Sequence, residues 1–236
     1  MSDFDCEYAQ SEHYFGEEPE AILTTYLSRI NPAYPVLDVG CGQGRNSFAL
    51  ARNEVTPFRV LAIDPSKQAV QTVQQIADAE SLPIVTTTLG FEEIDKDTLR
   101  QLTDCTALSA ILFFGLFPIL TMKTIQKFLD KSENLLAHNG LIFITTFSTV
   151  GPDYQRHTQT WEKIDNNSFR NPDDPTDLRT YFAPDEILKL LDQDRFTVLH
   201  HREYLGPMHK HSEAGPLHQH AMIELVAKRQ PMRSRI

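Results

Sequence analysis

The sequence predicts a doubly wound α/β fold, a parallel sheet with helices on both faces. Three observations carry this. Apolar strand-like runs alternate with amphipathic helical stretches over residues 35–147. The first run leads into a glycine loop, Asp38-Val39-Gly40-Cys41-Gly42-Gln43-Gly44, placed directly before a helical pattern. Open parallel sheets hold their ligands at such a place, beyond the carboxyl end of a strand. Finally, the segments Phe196 to Tyr204 and Gln219 to Lys228 are joined by a linker too short for a crossover helix, so they pair as an antiparallel hairpin.

Composition sets the outer bounds. A chain of 236 residues with 41 % hydrophobic content fits one large α/β domain over 18–230, and global disorder is excluded. The formal charge is −10, from 22 Lys and Arg against 32 Asp and Glu, with no long basic run. That disfavours nucleic acid as a partner and suits a small-molecule substrate. Cys6, Cys41 and Cys105 are too widely spaced for a disulfide framework or a Cys-x-x-Cys site. The acidic N-terminus is no signal peptide, and no apolar run is long enough to span a membrane. The expectation is a soluble cytoplasmic protein, monomer or homodimer.

The elements follow in order. Residues 1–17 mix Tyr8, His13, Tyr14 and Phe15 with acids and read as a tail or as a lid over a ligand. Glu18-Pro19-Glu20 opens a helix whose Ile22, Leu23, Tyr26, Leu27 and Ile30 recur at helical spacing, and Asn31-Pro32 stops it. Strand 1 covers about 35–39, and a helix runs from about Gly44 to Asn53. Strand 2, Arg59 to Ile63, ends on Asp64-Pro65, and Ser66 is placed to cap the next helix. Strand 3 is the β-branched run Ile84 to Thr88, and a short helix follows over about 95–102. Strand 4, Ala107 to Phe114, and strand 5, Leu141 to Phe147, are continuously apolar, as buried parallel strands are. Between them lies a helix of about 121–137, ended by Asn139-Gly140. Residues 148–182 are rich in turn formers yet carry Tyr154, Trp161, Phe169, Tyr181 and Phe182. A long insertion of that composition reads as a cover over a substrate site. Pro184-Asp185-Glu186 then starts the last helix.

The loop chemistry narrows the ligand. A dinucleotide fingerprint is G-x-G-x-x-G with a pyrophosphate at the helix N-terminus. Here the third glycine comes one residue early, at Gly44, and a carboxylate, Asp38, stands two residues before the first. An acid there suits a ligand carrying an ammonium group. A P-loop is excluded, since no Gly-Lys-Ser/Thr follows. Asp64, 26 residues beyond Asp38 at the end of strand 2, is placed to accept hydrogen bonds from two ribose hydroxyls or to cap the following helix.

With Asp38-Val-Gly40-Cys-Gly42-Gln-Gly44 and Asp64 so placed, the chain resembles the class I S-adenosylmethionine (SAM)-dependent methyltransferases. The resemblance implies a Rossmann-like, three-layer α/β/α fold with seven strands in the order 3-2-1-4-5-7-6, strand 7 antiparallel. It implies SAM as cofactor, with Asp38, Gly40 and Gly42 along its methionine part and Asp64 on its ribose. Cys41, Gly44 and Pro65 belong to the same two loops. By position, Phe91 would pack on adenine, Glu92 would reach its amino group, and Phe113 and Phe114 either approach donor and substrate or are ordinary core residues. Shorter matches resemble the tellurite-resistance and thiopurine methyltransferase group: Gly44-Arg45-Asn46-Ser47, Tyr14-Phe15 and Arg179-Thr180-Tyr181-Phe182. That group implies a thiol or metalloid oxyanion as acceptor. The competing readings are a non-catalytic SAM-binding sensor or partner subunit and, behind it, an NAD-dependent oxidoreductase.

Two candidates remain for the acceptor side. Arg45, at a helix N-terminus beside the loop, either anchors an anionic substrate or pairs with a surface acid. Six of the nine histidines lie between 200 and 220, including His209-Lys-His211 and His218-Gln-His220. In extended chain each His-x-His pair shares a face, so metal chelation, substrate contact and a hydrogen-bonded polar loop all fit. No metal ion is assigned. His218, just before the last strand, is the candidate substrate contact or base.

Overall fold

In the computed structural model, residues 5, 8, 14–208 and 219–231 are described. Seven α-helices are described: α1 (Ala21–Tyr26), α2 (Arg45–Ala51), α3 (Lys67–Glu80), α4 (Lys96–Thr103), α5 (Met122–Leu135), α6 (Pro152–Thr160) and α7 (Glu186–Leu190). The strands are β1 (Val36–Val39), β2 (Val60–Ile63), β3 (Ile84–Thr87), β4 (Leu108–Phe114), β5 (Leu136–Ser148), β6 (Glu162–Lys163), β7 (Ser168–Arg170), β8 (Leu178–Phe182), β9 (Phe196–Leu205) and β10 (Ala221–Arg229). Among the described residues no helix is long and apolar enough to cross a membrane.

The sheet runs β3-β2-β1-β4-β5, all parallel, and β10 then joins β5 antiparallel with β9 beyond it. That is the 3-2-1-4-5-7-6 arrangement expected from the sequence. β5 carries a second branch. Its last residues Phe147 and Ser148 pair in parallel with Tyr181 and Phe182 of β8, which continues antiparallel to β7 and β6. Phe147 also faces Met222 of β10, so β8 must occupy the opposite side of β5. There it stands beyond the end of β4, whose pairing with β5 stops at Phe114–Thr145.

Alternate residues of each strand feed two apolar clusters. Leu37, Val39, Leu61, Ile63, Ile111 and Phe113 pack against α4, α5 and α7 through Leu99, Ile125, Phe128 and Ile187. Val36, Val60, Ala62, Ala110 and Leu112 pack against α1, α2 and α3 through Leu23, Phe48, Leu50, Val73 and Ala77. Strands covered on both faces need apolar residues at every position, which is why these runs do not alternate.

Several boundaries differ from the sequence reading. α5 ends at Leu135, short of Asn139-Gly140. Asn139 instead takes a positive φ of 62° within β5, beside the register break opposite Leu108 and Ala110. The insertion 148–182 is structured. α6 starts with Pro152 at its first position, and the β-prone run Leu178–Phe182 finds open backbone at the end of β5. The turn formers of 171–177 serve as the connection between β7 and β8.

Phe113 is the central ring of the first cluster, fully buried with centroids 5.3 Å from Phe91, 5.2 Å from Phe117 and 6.0 Å from Phe128. Phe113→Ala should cost about 3–5 kcal/mol of stability, as large-to-small changes in such cores do. Urea unfolding is the check: the midpoint should fall while the slope stays constant.

Candidate active site

The site starts where β1 and β2 end side by side, in register at Val39 and Ile63. The chain leaves β1 by bonding Gly40 N–H and Cys41 N–H to the Ile63 carbonyl, at 2.8 and 3.0 Å. Gly40, Gly42 and Gly44 all have positive φ, at 71°, 51° and 88°. Gly44 is also fixed by space, since a Cβ there would lie 2.8 Å from Val73 and 2.9 Å from Phe48. The early third glycine therefore lets α2 and α3 close on each other.

Asp38 and Asp64 are both buried at these strand ends. Asp38 Oδ2 accepts from Ser47 Oγ at 2.7 Å, tying α2 to β1. Burial pushes its carboxyl up to about 6, against the opposing effects of Ser47 and Arg45. Asp64 accepts one amide on each oxygen, Gly42 N–H at 2.9 Å and Ser66 N–H at 2.8 Å. It thereby joins the loop after β1 to the loop after β2. Burial still raises it above the usual carboxylate range, outweighing those amides. The cap of α3 is Ser66 itself, whose Oγ accepts Ala69 N–H at 3.1 Å.

A cavity of about 1000 Å³ opens from this loop. Asp38, Gly40, Cys41, Gly42, Asp64 and Pro65 line it, together with Tyr8, Tyr14 and Phe15 from the N-terminal segment. Cys41 is buried, and burial pushes its thiol well up. Gly44 supports the cavity from behind through its contacts with Val73 and Phe48.

Phe91 and Glu92 are not among the lining residues, contrary to the positions inferred for them, and Phe113 takes the core alternative. Phe91 is buried against Phe113 and Phe128, with Lys131 over its ring at 5.5 Å, because the turn after β3 directs it into the core. The Glu92 carbonyl is engaged by Lys131 Nζ at 2.5 Å. Phe114, one residue later in the strand alternation, lines the cavity in place of Phe113. Arg45 lines the cavity and is held there by Glu20 in an ion pair and by the Glu18 carbonyl at 3.1 Å. His218, with His209 and His211, lies outside the described residues. Among the described residues no three His, Cys, Asp or Glu side chains are grouped to hold a metal ion.

The far half of the cavity is built by β8 and its neighbours, and the sequence reading missed most of it. Asp153, Arg156 and His157 sit at i, i+3 and i+4 on α6, hence on one face. Asp153 Oδ2 lies 2.6 Å from Nδ1 of His220, the residue leading into β10, and Asp153 Oδ1 lies 2.8 Å from Arg156. Burial pushes the Asp153 carboxyl up, but His220 and Arg156 overcome this and hold it below the usual range. The His220 ring stacks on Phe147 at 4.3 Å. His157 stacks on Trp161 at 3.8 Å and meets Tyr181 Oη through Nδ1 at 2.8 Å. Two signals were present in the chain: the Asp-x-x-Arg-His spacing inside the insertion, and the His-x-His spacing just ahead of the last strand.

Asp38 gives a pH-dependent prediction. A carboxyl raised in the folded state favours folding below about pH 4, and that contribution is lost as pH rises through about 6. Asp38→Asn removes the ionisation, so the ligand-free variant should be more stable than wild type at pH 8 by ~1–3 kcal/mol. The difference should vanish near pH 4. Equal stabilities of the two proteins across urea melts at both pH values would contradict an uncompensated buried charge.

Comparison with known proteins completes the site's context. A family model described as a methyltransferase domain matches residues 30–201. No curated protein matches. TehB from Haemophilus influenzae superposes with a TM-score of 0.63 at 19 % identity, over 90 % of this chain and 62 % of TehB. A SAM-dependent methyltransferase from Methanosarcina mazei gives 0.63 at 17 % identity, over 90 % of this chain and 99 % of that one. An N1-methyltransferase for 1,6-didemethyltoxoflavin from Burkholderia thailandensis gives 0.60 at 19 % identity, over 89 % of this chain and 76 % of that one. These likenesses concern the fold. With the family model spanning more than two thirds of the sequence, on a fold shared with SAM-dependent methyltransferases, the chain belongs to the methyltransferase-domain family.

Proposed function

We infer that the protein transfers a methyl group from SAM to a small molecule held between α6, β8 and the start of β10. The observation that carries this is a single cavity with two chemically different ends. One end has the glycine loop and two under-compensated carboxylates; the other has aromatic walls around the Asp153–His220 pair.

The donor end fits SAM by its chemistry. An ammonium group compensates a buried carboxylate such as Asp38, and a ribose diol can donate to the lone pairs of Asp64 that Gly42 and Ser66 leave unused. Gly40 faces the cavity with only the flexible Leu116 side chain at 3.4 Å from where a Cβ would be, so a ligand can approach its backbone closely. Cys41, Gly42 and Pro65 complete this wall. Bound SAM supplies a methyl group on a sulfonium, a good leaving group, so the chain's task is alignment and exclusion of water. Residues 148–182 and the N-terminal aromatics serve as the cover.

The acceptor end bears on what is methylated. A thiolate or a metalloid oxyanion, the class implied by the tellurite-resistance resemblance, needs little or no proton removal. A carboxylate held ionised beside an imidazole suits an acceptor hydroxyl or N–H whose proton must be withdrawn. This supports catalysis over a SAM-binding sensor, which has no use for such a pair, and the glycine spacing stands against NAD.

Thermal shift separates these readings. SAM and S-adenosylhomocysteine at ~100 times their dissociation constants should each add about 2.7 kcal/mol of stability, NAD none, and Asp64→Ala should lose the effect. No shift with either sulfur ligand sinks the proposal. Affinity for S-adenosylhomocysteine should also weaken as pH falls through about 6, when Asp38 takes up its proton, and Asp38→Asn should flatten that dependence.

A further inference from the structure

The acceptor half contains a hydrogen-bond donor whose direction follows from its neighbours. His157 Nε2 lies 3.3 Å from Arg156 Nη2, and a guanidinium can only donate. Burial and the Arg156 charge push His157 down to about 4, so its ring is neutral and carries one proton. With Nε2 accepting, that proton is on Nδ1, which points at Tyr181 Oη 2.8 Å away. Tyr181 therefore accepts from His157 and keeps its own O–H proton for another group. No second hydrogen-bond partner of that hydroxyl occurs among the described residues. Burial, with Asp153 nearby, keeps the phenol protonated well above its ordinary range, so it acts as a donor and not as a base.

The placement is set by the sheet. Tyr181 pairs with Phe147, and Phe147 carries the His220 ring on its other side. Tyr181, Phe147 and His220 thus stand in a row along the cavity, whose lining also includes Trp161 stacked on His157. Flat aromatic ligands suit such walls.

We propose that Tyr181, oriented by His157, donates a hydrogen bond to the methyl acceptor, and that the acceptor is a flat aromatic molecule bearing a carbonyl oxygen or ring nitrogen. Tyr181 touches the ligand, and His157 is a positioning residue acting through it. The proposal rests on the methyltransferase reading and narrows its substrate class.

Trp161, the only tryptophan, stacks on His157 and reports occupancy of this half by its fluorescence. Protein saturated with S-adenosylhomocysteine is titrated with two matched pairs: 6-hydroxyquinoline against 2-naphthol, and 4′-hydroxyacetophenone against 4-ethylphenol. Tyr181→Phe should weaken the nitrogen and carbonyl members by about fivefold or more while leaving their partners within about twofold. His157→Leu should show the same selective loss, and His157→Asn, whose amide can donate in place of Nδ1–H, should restore part of it. Equal losses in both members of each pair, no loss at all, or failure of the wild type to bind any of the four overturns the proposal. An intact S-adenosylhomocysteine thermal shift in those samples leaves the methyltransferase reading standing; absence of that shift in wild type strikes the broader reading instead.

Discussion

Asp64 is the constraint on which the donor end depends. Its two oxygens accept the amides of Gly42 and Ser66, so one side chain sets the loop after β1 and the loop after β2 together. Without it, the buried N–H groups of Gly42 and Ser66 would need other partners, and the loop would keep only its bonds to the Ile63 carbonyl and the tight packing at Gly44. Gly44 supplies the complementary restraint from the helix side, where Val73 and Phe48 leave no room for a Cβ. Ser47 closes the assembly by donating to Asp38. Backbone, helix packing and buried charge are thus solved by one short stretch and its neighbour strand.

The acceptor end depends on a different device, the second branch of β5. A parallel sheet normally gives each central strand one neighbour per edge along its length. β5 is longer than β4 at its carboxyl end, so Phe147 and Ser148 have open backbone there and take β8 as partner. This brings Tyr181 over the mouth of the sheet, and the connection from β5 to β8 carries α6 with Asp153, Arg156 and His157. A length mismatch between two strands is what converts an insertion into a wall of the cavity.

The core sheet was legible in the sequence because strands buried on both faces must be uniformly apolar and the helices between them amphipathic. That Asp38, the glycines and Asp64 meet was legible because the first four fall in one short stretch and Asp64 ends the strand that pairs in parallel with β1. The acceptor half was not, since Phe147, Asp153, Tyr181 and His220 come from four separate segments and meet only through strand pairing. Phe91 was misplaced, and Phe113 was left open between site and core, for a related reason. Strand alternation decides which of Phe113 and Phe114 faces the cavity, and a turn's exact path decides where Phe91 goes. Neither is set by residue type.

The two ends of the cavity also differ in how their charges are compensated. Asp38 and Asp64 are raised above their ordinary range because burial outweighs the groups around them. Asp153 is equally buried by exposure, yet lies below its ordinary range because His220 and Arg156 stand against it. Arg179 is likewise answered by Asp177. A cation therefore gains at the glycine loop and gains little at α6, where the charges already cancel. A ligand with one cationic end is driven to lie with that end on Asp38 and its uncharged remainder toward the opposite half. The direction in which a singly cationic ligand lies in the cavity follows from this difference in compensation, before any specific contact is considered.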